Sequence, residues 1–176
     1  ATFTPMFPDG NINLEVIDFY AKLLEKYKVA GVFVCGTSGE SLSLTVNERI
    51  RIAERWREQM GKDMRLIIHV GCESIIDSQQ LARHAREISA DAIGALAPSF
   101  FKPVSIEDLI AWCKAIASSA PDLPFYYYHI PAMTGLNFSM YEFLQKANLE
   151  IPNLVGIKFT FEDLMDFGLC LTIEDY

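Results

Sequence analysis

Cysteine is sparse in this chain: Cys35, Cys72, Cys113 and Cys170 stand singly, with no CxxC spacing. That pattern argues against a zinc ribbon or a disulfide-stapled fold and for reduced core thiols in a cytoplasmic setting. Positive charge is also scarce, with Lys and Arg numbering 15 against 23 Asp and Glu and a net charge of -8. Such a surface has no general attraction for phosphate backbones or anionic lipid, so neither nucleic acid nor membrane is an expected partner. No apolar run approaches the ~20 residues of a membrane span, and no signal-peptide pattern opens the chain. The Gly-Lys-Ser/Thr ending of a P-loop and the GxGxxG dinucleotide fingerprint are both missing. Linkers, repeats and low-complexity tracts are missing too, which leaves a single domain over residues 1–176. The first residue is Ala1 rather than Met, directly before a strand-like segment, an indication that further sequence precedes it.

What is present is a large apolar fraction, 51% of 176 residues, arranged as short β-branched or aromatic runs alternating with longer amphipathic ones. Strands are expected over 3–7, 32–35, 66–70, 92–97, 125–130 and 154–160, their starts between 26 and 34 positions apart. That spacing is about one βα unit, so six units are counted. Thr45-Val46-Asn47-Glu48 and Ser139-Met140-Tyr141-Glu142 have the capping-box spacing of a helix start. Ile52, Ala53, Trp56 and Met60 then recur at helical spacing, as do Leu14, Ile17, Leu24 and Tyr27, Leu81, Ala85 and Ile88, and Leu109, Trp112 and Ile116. All are expected to face the core. Repeated βα units with apolar strands imply a parallel sheet covered by helices. By length alone, six strands suit an open doubly wound sheet better than a (β/α)8 barrel, which takes ~250 residues.

Lys158 is the most informative residue, an ammonium mid-strand in Leu154-Val155-Gly156-Ile157-Lys158-Phe159-Thr160. Alternation places Gly156, Lys158 and Thr160 on one face and Val155, Ile157 and Phe159 on the other. Burial would disfavour the charge, and a neutral amine attacks ketones to give a Schiff base; a lysine reaching from the strand end to solvent is the competing reading. In Phe125-Tyr126-Tyr127-Tyr128-His129-Ile130-Pro131, Tyr126 and Tyr128 share one face and Tyr127 and His129 the other. A tyrosine at a strand's C-terminal end can present a phenol for proton transfer, although core packing explains any one of these aromatics equally simply. Gly36-Thr37-Ser38-Gly39-Glu40, between a strand and the Thr45 cap, offers hydroxyls and amides in a tight turn of a size to hold a carboxylate. His69, His84 and His129 lack metal-ligand spacing and are read as structural or surface residues.

Taken in order, GTSGE at 36–40, HVGC at 69–72, YYYHIP at 126–131 and GIKFT at 156–160 resemble the N-acetylneuraminate lyase and dihydrodipicolinate synthase family of class I aldolases. The resemblance runs from Thr4-Pro5 to about Cys170 and replaces the open sheet with a (β/α)8 TIM-barrel type, truncated to about six βα units. It implies that Lys158 forms the Schiff base with pyruvate or a 2-keto sugar acid and that Tyr128 shuttles the proton. Thr37 and Ser38 match the pair that binds the ketoacid carboxylate, and Thr160 a substrate-contacting residue. Met133 stands where the sister synthases carry an arginine, which favours the lyase branch and cleavage of N-acetylneuraminate to N-acetylmannosamine and pyruvate. The resemblance implies no metal and no organic cofactor, a small-molecule substrate and a homotetramer. Two departures accompany it. Pro98 to Pro103 contains Phe100 and Phe101 where many members have a tyrosine that joins a proton relay across subunits. The chain also reaches its last residue, Tyr176, at about the family's sixth helix, before the seventh and eighth strands that hold the sugar hydroxyls and close the barrel. Little or no turnover by this chain alone is therefore expected, and a non-catalytic partial barrel or an aldolase for another 2-keto-3-deoxy acid are the alternatives.

Overall fold

The structure is a computed structural model and describes residues 1–173. Tyr176 and its two predecessors lie outside the described residues. Five parallel strands, β1 (Gly31–Val34), β2 (Arg65–His69), β3 (Ala92–Ala95), β4 (Phe125–His129) and β5 (Leu154–Phe159), pair in strict chain order. The helices between and around them are α1 (Glu15–Lys26), α2 (Val46–Gln59), α3 (Ile75–Glu87), α4 (Ile106–Ala117), the short α5 (Pro131–Thr134), α6 (Met140–Ala147) and α7 (Leu164–Cys170).

Strand order settles the choice that length left open. A doubly wound sheet reverses its order at a switch point and puts helices on both faces, whereas here the order never reverses. Val32, Val34, Leu66, Ile68, Ile93, Phe125 and Tyr127 share one core with Ile17, Trp56, Leu81, Leu109 and Phe143 of the helices. Phe33, Ile67, Leu96, Tyr128 and Ile130 form a second cluster on the other face, with no residue from α1 to α7 in it. One covered face and one inward face, wound in a single direction, make the sheet an arc of a (β/α)8 barrel.

Six units become five. The segment 3–7 is not a sheet strand: Met6 only bridges Ile12 antiparallel, Asn13 N–H donates to Pro5 O (2.8 Å), and the tie to the sheet is made by Thr2, whose N–H (3.1 Å) and Oγ1 (3.4 Å) both donate to Phe33 O. Pro5 and Pro8 lack the N–H that a ladder needs, which explains why an apolar run of strand-like composition folds back instead.

The Thr45 box is complete: Thr45 Oγ1 accepts from Glu48 N–H (3.2 Å) while Glu48 Oε2 accepts from Thr45 N–H (2.8 Å). At Ser139 only half forms. Its Oγ accepts from Glu142 N–H (3.3 Å), but the Glu142 carboxylate pairs with Lys146, and Asp166 of α7 accepts from Ser139 Oγ, Met140 N–H and Tyr141 N–H in its place. Of the predicted helical stripes, Ile17, Ile52, Ala53, Trp56, Leu81, Ala85, Leu109 and Ile116 are buried. Tyr27 is not: it is the capping residue just past the end of α1 and is 70% exposed.

One irregularity decides where Lys158 points. Phe125 pairs with Leu154, but Tyr126 pairs with Gly156, so Val155 is an extra residue in β5. Gly156 adopts φ 150°, a conformation that disfavours side chains. The bulge corrects the simple alternation: Leu154 joins Ile157 and Phe159 on the helix-covered face, while Val155 is 40% exposed.

Candidate functional site

Beyond the bulge the register runs Tyr127 with Ile157, Tyr128 with Lys158 and His129 with Phe159. Paired residues of adjacent strands share a face, so Tyr128 and Lys158 project together to the inward side at the C-terminal ends of their strands. Lys158 Nζ lies 3.7 Å from the centroid of the Tyr128 ring and 5.3 Å from that of Phe33. No carboxylate pairs with this amine among the described residues; aromatic faces are its electrostatic partners. The Phe33 and His69 rings stand edge-on to Tyr128 or tilted to one another at 5.5 to 5.8 Å and fix the tyrosine from both sides.

The Tyr128 hydroxyl is 3.2 Å from Thr37 Oγ1, a contact between residues 91 positions apart. Thr37 opens a 3-10 turn (Thr37–Gly39) whose own bonding begins with Gly39 N–H to Gly36 O (3.0 Å), so the amides of Thr37 and Ser38 lie outside that ladder. The turn is held between two non-glycine residues in the left-handed region, Cys35 at φ 55° and Glu40 at φ 57°. Such conformations each cost about 1–3 kcal/mol and persist only where surrounding contacts impose them. Ser38 is exposed on the turn. A cavity of about 230 Å3 opens beside Thr37, with Glu40, Leu42, Leu96 and Met133 among its walls. Met133 presents a thioether there where an arginine would present a charge.

Of the five residues singled out from sequence, Lys158, Tyr128 and Thr37 come together, and Ser38 follows Thr37 on the same turn. Thr160 lies just past β5, exposed, with its hydroxyl donating to His129 O (2.7 Å). It borders a separate cavity of about 400 Å3 with Pro131, Asn137 and Glu162.

Two buried groups behind the site were not anticipated. Arg49, 2% exposed in α2, donates from Nη1 to Gly71 O (2.9 Å) and to Cys72 Sγ (3.0 Å), and from Nη2 to His69 O (2.7 Å). Its position three residues before Ile52 and seven before Trp56 on the apolar stripe was the available signal. His69 is fully buried, with Nδ1 2.8 Å from Cys35 O. A carbonyl only accepts, so this shorter contact calls for the proton on Nδ1, although Arg49 Nη2, a donor, also lies 3.4 Å from that nitrogen. Burial, then the neighbouring Arg49 charge, hold the imidazole well below its ordinary pKa, so it is neutral. Burial also raises the Cys35 thiol to about 11 and lifts Cys113 further, which keeps both unreactive. All four cysteines are free thiols, and no cluster of three or more His, Cys, Asp or Glu suited to a metal occurs among the described residues.

Residues 1–172 match the dihydrodipicolinate synthetase family. The chain belongs to this family. Among curated dihydrodipicolinate synthetase family relatives, it is 48% identical over 174 residues to the N-acetylneuraminate lyase B of Xenopus laevis, covering 98% of this chain and 65% of that protein. The human N-acetylneuraminate lyase is 49% identical over 174 residues, 97% of this chain and 54% of its own length. A solved family structure, the Proteus mirabilis N-acetylneuraminate lyase, superposes with a TM-score of 0.96 at 44% identity, covering 99% of this chain and 59% of that one. The chain thus spans 54–65% of the length of these relatives. No helix among the described residues is long and apolar enough to cross a membrane.

Proposed function

We propose that this chain carries the Schiff-base half of an N-acetylneuraminate lyase site, with Lys158 as nucleophile, Tyr128 as proton shuttle and Thr37 and Ser38 as the carboxylate clamp. One observation carries the reading: Lys158 Nζ sits 3.7 Å over the Tyr128 ring while the Tyr128 hydroxyl sits 3.2 Å from Thr37, all at one end of a parallel sheet. The amine adds to the 2-keto carbon and water leaves, giving an iminium. That group draws in the electrons of the C3–C4 bond as Tyr128 takes the C4 hydroxyl proton, so an aldehyde departs and an enamine remains. Protonation at C3 and hydrolysis then release pyruvate and return the lysine. Relatives named as N-acetylneuraminate lyases support N-acetylneuraminate as the 2-keto acid and N-acetylmannosamine as the aldehyde. Thr160, bordering the separate cavity of about 400 Å3 just past β5, is assigned to substrate contact. Three buried, unpaired thiols suit a cytoplasmic setting. A homotetramer is the assembly we assign to the whole protein.

Borohydride trapping with pyruvate, followed by intact mass and peptide mapping, tests the nucleophile. A single adduct on Lys158, absent from Lys158→Ala, is expected, and a folded chain that yields none overturns the reading. Pyruvate release from N-acetylneuraminate is expected to be far slower than imine formation, since the chain spans only 54–65% of these lyases. Steady turnover by the purified chain would contradict that.

A further inference from the structure

The strained turn that presents Thr37 is held from behind by buried side chains. We propose that His69 is a positioning residue: its Nδ1–H bond to Cys35 O locks the left-handed turn at Cys35 and thereby sets Thr37 against Tyr128. This inference rests on the proposed role of the 36–39 loop in binding a carboxylate, but its structural half stands without it.

Cys35 is the last residue before the loop and takes φ 55° without being glycine. Its carbonyl accepts from His69 Nδ1 at 2.8 Å. At the far end Gly39 O accepts from Thr4 Oγ1 at 2.8 Å, so the turn is pinned at both of its ends by side chains. His69 is in turn held through its own main chain, since Arg49 donates to both His69 O and Gly71 O. The His69 ring also braces Tyr128, at 5.8 Å between centroids and 88° between planes. Its other nitrogen, Nε2, has no partner among the described residues. The polar contacts are thus confined to one ring atom: Nδ1 meets Cys35 O at 2.8 Å and Arg49 Nη2 at 3.4 Å, the shorter contact being the one assigned here, while Nε2 meets none. A side chain needed only to fill space would show no such preference.

Asparagine places an amide N–H near the Nδ1 position, whereas glutamine reaches to the Nε2 position. The experiment compares the wild-type chain with His69→Asn, His69→Gln and His69→Leu by amide hydrogen exchange and by pyruvate trapping. In His69→Gln and His69→Leu, exchange at the amides of Gly39, Glu40 and Ser41 is expected to rise at least tenfold while α3 and α4 keep their protection. His69→Asn should restore most of it. The pyruvate concentration for half-maximal trapping should rise about tenfold in His69→Gln and His69→Leu, with a smaller change in the trapping rate at saturation. Equal loop protection in all three variants, or loss in His69→Asn equal to that in His69→Leu, overturns the proposal. Should the variants fail to fold, side-chain nitrogen NMR of the wild-type chain decides: a proton on Nδ1 of His69 supports the assignment, and one on Nε2 refutes it. A wild-type chain that traps no pyruvate but shows the expected exchange pattern refutes the Schiff-base reading and leaves the positioning role standing.

Discussion

Replacing Tyr128 by phenylalanine separates the two things that residue does. The ring face under Lys158 and the edge contacts to Phe33 and His69 remain, while the hydroxyl 3.2 Å from Thr37 is lost. Stability is expected to change by ~1 kcal/mol or less, and the Lys158 adduct to form ~100-fold or more slowly, as read by quenching the trapping reaction at timed intervals. His129 makes a different prediction. It is buried among Tyr127, Phe159 and Phe161, neither ring nitrogen has a partner among the described residues, and burial, opposed in part by Asp166, lowers its pKa to about 4. The unfolded chain therefore takes up the proton first. Stability is complete above about pH 6.5 and falls as the pH drops towards 4, with His129 contributing about 3 kcal/mol of the loss by pH 4 and His69 adding in the same direction. Urea midpoints across that range should decline less in His129→Leu than in the wild-type chain; parallel curves would contradict the assignment. The sequence showed His69 and His129 only as histidines without metal spacing. Nothing in one chain distinguishes a buried imidazole bonded to a distant carbonyl from a surface one, because Cys35 and His69 meet only through the pairing of β1 with β2.

At the scale of elements, Asp166 is the tie between α7 and the start of α6. It accepts from Ser139 Oγ (2.7 Å), Met140 N–H (2.7 Å) and Tyr141 N–H (3.2 Å) and so does the work that the Glu142 side chain does in a complete box. Asp166→Ala is expected to cost about 1–2 kcal/mol, similar to losing a cap, and to release α7, as read by thermal unfolding and exchange in residues 164–170. Helix starts were legible in sequence because capping is local: Thr45 and Glu48 find each other within one turn. The face carrying Lys158 and Tyr128 was legible as well, since a period of two survives from Gly156 onwards. The segment 3–7 misled because composition suggested a strand while Pro5 and Pro8 removed its donors. Single-direction winding could not be read from periodicity at all, since both α/β architectures use the same βα unit, and only strand order distinguishes them.

For the molecule as a whole, β1 and β5 each have only one strand neighbour among the described residues, the outer edge of β1 meeting Thr2 at Phe33 O, and α7 exposes Leu164 and Met165. Unpaired edges and contiguous apolar surface promote association. Sedimentation of the chain is expected to show species heavier than the 19.8 kDa monomer, reduced when Leu164 and Met165 are both changed to glutamate. A monodisperse monomer would contradict this. The bulge at Val155 has a consequence of another kind. Between Leu154 and Lys158 the strand counts one residue more than its neighbour, so inward and outward are decided by parity. Ironing the bulge flat with Val155 retained would set Lys158 opposite His129 and turn it into the helix layer, with Ile157 inward, whereas deleting Val155 together with the bulge would leave Lys158 opposite Tyr128. The direction of Lys158 is thus specified by a count as much as by a residue type: drift in this segment is free to change letters, and a residue is added or removed without reversing that direction only where the bulge takes up the difference.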